Sequence, residues 1–213
     1  MSYLMVHLQI GKHILAACPQ IADRQAFLIG TLAPDAIMFR SGCVRSDKLM
    51  THFCPEGTEW GHVTDGAAWA QSLANGIQAY AAVANPDFLL GCQAHILTDI
   101  ANMERFGTIG ELGRIPEQLE AVLQDFAEID SRIMADLGGE TGLWPQLTAT
   151  PACALGDLIT IADVAKILQT IKQDMYANRL PDPAYRFIRI TYEDVCGFMQ
   201  ETAAHIIRLL GKR

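Results

Sequence analysis

A histidine and an aspartate, His95 and Asp99, lie four residues apart in a strongly apolar stretch of this sequence. On a helix, that spacing places both side chains on one face, close enough to bind one ion. Their neighbours are mostly Leu, Ile, Ala and Gly, so polar groups without partners would cost several kcal/mol of desolvation there. A bound metal would satisfy both groups; the alternative is a His–Asp hydrogen bond that only satisfies the core.

Three more residues with metal-binding side chains lie upstream. His7 falls in the first predicted helix, Asp35 follows Ala33-Pro34, and His52 lies in a long polar stretch. Three imidazoles and two carboxylates suit zinc better than the all-oxygen shells of calcium or magnesium. Five ligands exceed what one ion with an open position needs, so the sequence suggests a two-metal centre with a shared carboxylate. The expected cofactor is one or two zinc ions.

Other polar residues compete with this set or extend it. His13 lies six positions after His7, which is about 240° around a helix, so both cannot face one site and we favour His7. His62 is an additional ligand, a phosphate contact or an ordinary loop histidine. Glu104, beyond Asp99, is either a group at the edge of the cluster or a solvated carboxylate near the helix end.

Helical spacing of apolar residues predicts the elements that position these side chains. Alternating strand patterns are nearly absent, so the predicted fold class is all-α. We expect an irregular single-domain helical bundle over residues 1–213, with the metal site from 1–106 and packing and pocket helices from 107–213. Asp87 is expected to cap the central helix, and Arg40–Gly66 to be a long functional loop. The predicted helices are Leu4–Ala17, Gln25–Leu32, Gly66–Val83, Asp87–Phe106, Pro116–Leu137, Leu158–Asn178 and Tyr192–Leu210.

Charge, cysteine content and hydropathy indicate which partners and which cellular location are expected. A net charge of −8 disfavours a nucleic acid polymer held by charge, although a bound metal could still attract one phosphate. The six cysteines form no C-x-x-C pair and are expected to be reduced thiols. We find no export leader and no apolar run of transmembrane length, so we expect a cytoplasmic protein without a transmembrane segment.

Four ordered motifs carry a resemblance to a known family. They are His7-Leu-Gln-Ile-Gly, Phe27-Leu-Ile-Gly-Thr-Leu-Ala-Pro-Asp35, Thr51-His52-Phe53 and Phe88-Leu-Leu-Gly-Cys-Gln-Ala-His95-Ile-Leu-Thr-Asp99. Together they resemble the zinc-dependent phospholipase C family, and most closely its intracellular bacterial branch of hydrolases. The resemblance covers roughly residues 4 to 106 in motif detail and the rest only in helical character and length.

The resemblance implies a helical fold of the phospholipase C and nuclease-like type, with zinc-activated water attacking a phosphate ester. By motif match, His7, Asp35, His52, His95 and Asp99 take the places of family metal ligands. Asp99 resembles the carboxylate that bridges two zincs, and Asp35 the residue that is both ligand and proton acceptor. The implied substrate is a small-molecule or lipid phosphate ester.

The sequence also departs from the family. No histidine occurs between His95 and His205, so a third zinc is expected to be missing, and six residues precede His7 where the secreted enzymes use a processed N-terminal residue as a ligand. Two other functions stay open: a non-catalytic helical binding protein with a structural zinc site, and a phosphohydrolase of the HD type. The HD reading is disfavoured because the sequence contains no adjacent His-Asp dipeptide.

Overall fold

The computed structural model describes residues 4–107, 115–137, 147, 153–176 and 180–211. These residues are mostly helical and contain no β-strand, which confirms the all-α fold class. None of the described helices combines the length and apolar character needed to cross a membrane. In chain order the elements are α1 (Leu4–Ala17), α2 (Arg24–Gly30), a 3₁₀ helix (Ala33–Phe39), a 3₁₀ turn (Arg45–Asp47), α3 (Lys48–Thr51), α4 (Gly66–Tyr80), α5 (Pro86–Phe106), α6 (Pro116–Asp136), α7 (Ile161–Thr170) with a π-helical continuation (Ile171–Tyr176), and α8 (Tyr192–Leu210).

Helix α5 has the central position that its apolar sequence predicts. It contacts α1, α2, α4, α8 and the 3₁₀ helix Ala33–Phe39, and its buried residues extend from Phe88 to Ile100. Helix α1 packs between this group and the second half of the chain, where it contacts α6 and α8. One hydrophobic core therefore runs from α1 to α8.

Three sequence-based predictions about the elements are wrong in detail. Asp87 does not cap α5: the side chain of Asn85 accepts the N–H groups of Asp87 and Phe88, while the Asp87 carboxylate accepts the N–H of Asp23 at 2.6 Å. The stretch 40–66 is not structureless, since it contains the 3₁₀ turn and α3. The predicted helix 158–178 begins at Ile161, is α-helical to Thr170 and π-helical over Ile171–Tyr176, and its positions 177–178 lie outside the described residues.

An ion pair connects the first half of the chain to α7. The guanidinium of Arg40, just after the 3₁₀ helix, donates to both oxygens of Asp163 at 3.1 and 2.5 Å. Burial acts in the opposite direction, but Arg40 and Thr160 lower the pKa of Asp163 to about 2. Asp163 also closes the capping box of α7 with Thr160, so one carboxylate both caps α7 and holds it against the 3₁₀ helix.

Candidate metal centre

Two glycines set the distance between α2 and α5. A Cβ atom at Gly30 would lie 2.2 Å from the carbonyl oxygen of Phe88, and one at Gly91 would lie 2.1 Å from that of Phe27. The two backbones therefore touch at a point where no side chain fits. Thr31 and His95 follow this crossing on the two chains and are brought together by it.

The contact between Thr31 and His95 orients the imidazole. His95 Nδ1 lies 2.7 Å from the carbonyl oxygen of Thr31, and because a carbonyl only accepts, Nδ1 carries the hydrogen. The lone pair of the neutral ring is then on Nε2, which points toward the other predicted ligands. A backbone carbonyl that fixes the tautomer of a histidine in this way is a common partner of metal-binding imidazoles.

His52 is oriented by the end of α3. It is the C-cap residue, with Cys54 N–H bonded to Leu49 O at 2.9 Å and Phe53 N–H bonded to Met50 O at 3.1 Å, a Schellman motif. Phe53 takes the left-handed conformation with φ of 48°. His52 Nδ1 lies 3.0 Å from Lys48 O, so the lone pair of His52 is also on Nε2.

The structure brings the five predicted ligands into one buried cluster. His7, Asp35, His52 and His95 are each at most 5% exposed, and the Asp99 side chain is 19% exposed. Two overlapping groups of donor atoms are close enough to hold a metal ion: His7, His95 and Asp99, and Asp35, His52 and His95. Buried His and Asp side chains that could hold an ion are therefore present where the motifs place them.

The distances between four of these donors test whether a zinc-sized ion fits. Ligands about 2.0–2.1 Å from a tetrahedral ion are about 3.3 Å from one another. His52 Nε2 lies 3.3 Å from His95 Nε2, 3.4 Å from Asp35 Oδ1 and 3.3 Å from Asp99 Oδ2. His95 Nε2 lies 3.5 Å from Asp99 Oδ2 and 4.0 Å from Asp35 Oδ1. Four of these five distances match the edges of a tetrahedral shell, and the two candidate groups place Asp35 and Asp99 in different sets of three donors.

The two Nε2 atoms also create a demand for positive charge. With hydrogens on both Nδ1 atoms, the lone pairs of His52 and His95 face each other and two carboxylates. Asp35 Oδ1 contacts the Lys48 ammonium, but the other three acceptors repel one another unless a cation or an additional proton lies among them. The chemistry of the donor set therefore fits a cation.

Asp99 faces both candidate groups with different oxygens. Its Oδ2 atom lies near His52 and His95, whereas Oδ1 lies 3.4 Å from His7 Nε2. The rings of His7 and His95 are stacked, with centroids 3.7 Å apart, and His7 Nδ1 has no hydrogen-bond partner in the part of the chain that the structure describes. This arrangement is compatible with the bridging role that the family resemblance implies for Asp99.

Burial and mutual charge set the protonation states of the cluster. Burial, followed by His95, lowers the pKa of His7 to about 4, so this ring is neutral at pH 7. Burial opposes ionisation of both carboxyls, yet Lys48 and His52 hold the pKa of Asp35 well below its usual range, and His95 and His52 do the same for Asp99. Two buried carboxylates thus stay ionised beside the imidazoles.

Lys48 is a site residue that the sequence analysis missed. It is 4% exposed, its ammonium contacts Asp35 Oδ1 directly, and it lies 4.5 Å from the centroid of the Trp60 ring. The same Trp60 ring packs edge-on against His52, with centroids 4.8 Å apart. The signal in the sequence was the four-residue spacing from Lys48 to His52, which has meaning only on a helix that periodicity did not predict.

The other candidate residues lie outside the cluster. His62 is exposed and belongs to neither donor group. Glu104 is also exposed, and its carboxylate lies against Gly66 at the start of α4. His13 faces away from His7, close to Gln9 and to α6 and α8, as the helical angle predicts. All six cysteines are free, which confirms the expectation of thiols.

No family model, curated protein or solved structure matches this chain. The resemblance to zinc-dependent phospholipase C therefore stays a prediction that depends on the four motifs. The evidence for a site in this chain is the geometry of its own residues.

A small cavity adjoins the cluster on the side of α6 and α8. It has a volume of about 10 Å³, room for about one water molecule, and its walls include His7 and Asp99. Phe126 of α6 and Val195 and Phe198 of α8 complete its apolar side. Helices from the second half of the chain thus shape the space beside Asp99.

Proposed function

We propose that this protein is a zinc-dependent hydrolase of phosphate esters, with a phosphodiester or phospholipid-like substrate. The observation that carries the proposal is the convergence of His and Asp donors, in which His52 Nε2 lies 3.3–3.4 Å from His95 Nε2, Asp35 Oδ1 and Asp99 Oδ2. Mixed nitrogen and oxygen donors favour zinc over magnesium or calcium.

The residues of this chain would divide the work as follows. His52, His95, Asp35 and Asp99 would hold the ion, with His7 beside the second oxygen of Asp99. A zinc ion in such a site lowers the pKa of bound water toward neutrality and polarises a phosphoryl oxygen. Asp35, kept ionised by Lys48, would accept the proton of the attacking water. The apolar surroundings would exclude other water from the reaction.

A second candidate function is a binding protein with a structural zinc. The specific observation that favours it is the number of protein donors gathered in the cluster, because structural zinc sites are satisfied by four protein ligands whereas catalytic sites keep a position open. Expansion of the shell to five ligands would reconcile the same donors with catalysis.

Metal content and activity together distinguish the two functions. The first variant is His95→Ala with Asp99→Ala, which should lose the bound zinc. The matched control is Glu201→Ala with His205→Ala, an exposed carboxylate and imidazole at the same spacing on α8; it should keep the zinc. Unchanged zinc content in the first variant would contradict the site.

Activity is then measured on bis(p-nitrophenyl) phosphate before chelation, after chelation and after zinc is restored. The hydrolase proposal expects turnover that chelation abolishes and zinc restores. Zinc bound at the cluster without turnover of this or other phosphate esters would favour the structural role.

A further inference from the structure

The inference concerns Lys48, and it rests on the proposed metal site. Lysine side chains are almost never fully buried unless an anion compensates them. Asp35 is the anion that compensates Lys48, because the Lys48 ammonium contacts Asp35 Oδ1. The same oxygen lies 3.4 Å from His52 Nε2 and 4.0 Å from His95 Nε2. A cation that belongs to the protein therefore already occupies one side of a proposed metal ligand.

The supply of donor atoms allows one complete ion site among the described residues. His95 belongs to both candidate groups, but its Nδ1 atom is bonded to Thr31 O, so only Nε2 is available. If His95 Nε2 binds an ion together with Asp35 and His52, the second candidate group keeps only His7 and Asp99. Two protein ligands are fewer than the three or four of established zinc sites.

The net charge of the cluster also favours one bound ion over two. With neutral imidazoles, Asp35 and Asp99 carry two negative charges and Lys48 carries one positive charge. One divalent ion changes the sum from minus one to plus one, whereas two divalent ions would leave plus three in a buried cluster. Like charges at such short separations are costly where water is excluded.

We propose that Lys48 is the second cation of this centre and limits it to a single divalent ion. The ammonium holds Asp35 in place and supplies the positive charge that a second metal supplies in a two-ion site. Lys48 is thus a positioning residue for Asp35 and a determinant of metal number, which replaces the expectation of two ions.

The test measures metal binding, so it does not depend on activity. Cobalt(II) is titrated into metal-free protein and followed by its visible absorption, and zinc affinity is measured by competition with a chelating dye. Site-specific binding is defined as the part that His95→Ala removes. Wild type should saturate at one ion per chain.

Lys48→Met keeps the length and apolar stem of the side chain but removes its charge. This variant should bind zinc at least tenfold more tightly than wild type, because Asp35 loses its competing cation. Lys48→Arg should stay within about threefold of wild type, and Lys166→Met, at an exposed lysine of α7, should not change binding. Circular dichroism establishes that each variant is folded.

Several results would overturn the proposal. They are two site-specific ions in wild type, or a folded Lys48→Met that binds zinc no more tightly than wild type. If Lys48→Met fails to fold, the number of site-specific ions bound by wild type still tests the proposal, because two ions would overturn it. Wild type that binds no ion would overturn both this inference and the proposed function, whereas one ion without phosphate ester hydrolysis would overturn the function alone.

Discussion

Substituting Gly91 by alanine tests whether the helix crossing holds the metal ligands in place. The new Cβ would lie 2.1 Å from Phe27 O and 2.8 Å from Gly30 Cα, and these are backbone atoms that cannot rotate away. Ordinary van der Waals contact begins at 3.4 Å, whereas the new Cβ would lie 2.1 Å from Phe27 O. Helices α2 and α5 must therefore separate by about 1.3 Å to restore an ordinary contact.

The same displacement would break the bond that orients His95. Its Nδ1 atom is 2.7 Å from Thr31 O, and a separation of similar size would take this distance beyond hydrogen-bonding range. Overpacking costs about 1–3 kcal/mol, and an unsatisfied buried polar group about 1–3 kcal/mol. Alanine regains about 1 kcal/mol of helix propensity. These contributions add to about 1–5 kcal/mol, and we expect a net loss of unfolding free energy near the middle of that range, about 3 kcal/mol.

Urea denaturation and thermal unfolding measure this loss. For a chain of this size, about 2–4 °C of Tm corresponds to 1 kcal/mol, so the Tm should fall by roughly 5–15 °C. Zinc affinity should fall roughly 10–100-fold, as it does when the partner of a metal-binding histidine is lost.

The matched control is Gly197→Ala in α8, where, apart from the adjacent backbone of α8 itself, no atom of the described residues lies within 4 Å of the added Cβ. That variant should be neutral or up to about 1 kcal/mol more stable than wild type. If Gly91→Ala matched this control in stability and kept wild-type zinc affinity, the close crossing would not be what orients His95.

Three further predictions follow from the cluster and from α7. Removing zinc with a chelator should lower the Tm by roughly 5–11 °C, because zinc at a hundredfold excess over Kd adds about 2.7 kcal/mol to the free energy of unfolding. An unchanged Tm after complete removal of zinc would show that the ion does not link the chain segments that carry its ligands. Asp35→Asn should turn over a phosphodiester about 10²–10⁴-fold more slowly than wild type while keeping some zinc. Asp99→Asn should lose zinc and turnover together. If Asp35→Asn kept full zinc and wild-type turnover, Asp35 would not be the proton acceptor. Asp163→Asn should cost about 1 kcal/mol at pH 7, because it removes the charge that pairs with Arg40. The cost should decrease as the pH falls from about 4 toward 2, because the pKa of Asp163 is about 2 when folded and about 3.9 when unfolded. A cost that is the same at pH 7 and pH 3 in urea denaturation would contradict this.

Much of the fold and the ligand set could be predicted from residue types and spacing. Helices α1 and α8 begin and end where the apolar period predicts, because each has a continuous buried face. His95 and Asp99 could be chosen because polar groups in apolar surroundings need partners, whereas His7, Asp35 and His52 were chosen from their positions in the chain and from the family motifs. Their convergence at one point depends on the Gly30–Gly91 crossing, which the motifs contain but periodicity does not reveal.

What could not be predicted has specific physical reasons. Helix α3 is one turn long, too short for any periodic pattern, so Lys48 could not be placed beside Asp35. Thr31 acts through its backbone carbonyl, which no side-chain pattern reports. The cap of α5 was assigned to Asp87 although Asn85, directly before Pro86, carried the better signal: proline is favoured at the first position of a helix, and the preceding residue is then the cap.

The candidate ligands come from the first half of the sequence and part of the adjoining cavity wall comes from the second half, so the two can change independently in evolution. Every donor of the two candidate groups lies between residues 7 and 99, whereas Phe126, Val195 and Phe198 of later helices line the cavity beside Asp99. Substitutions at these three positions would alter the size and shape of that space without removing a ligand. Descendants of this chain could thus diverge in the space beside Asp99 while inheriting the same donor set unchanged.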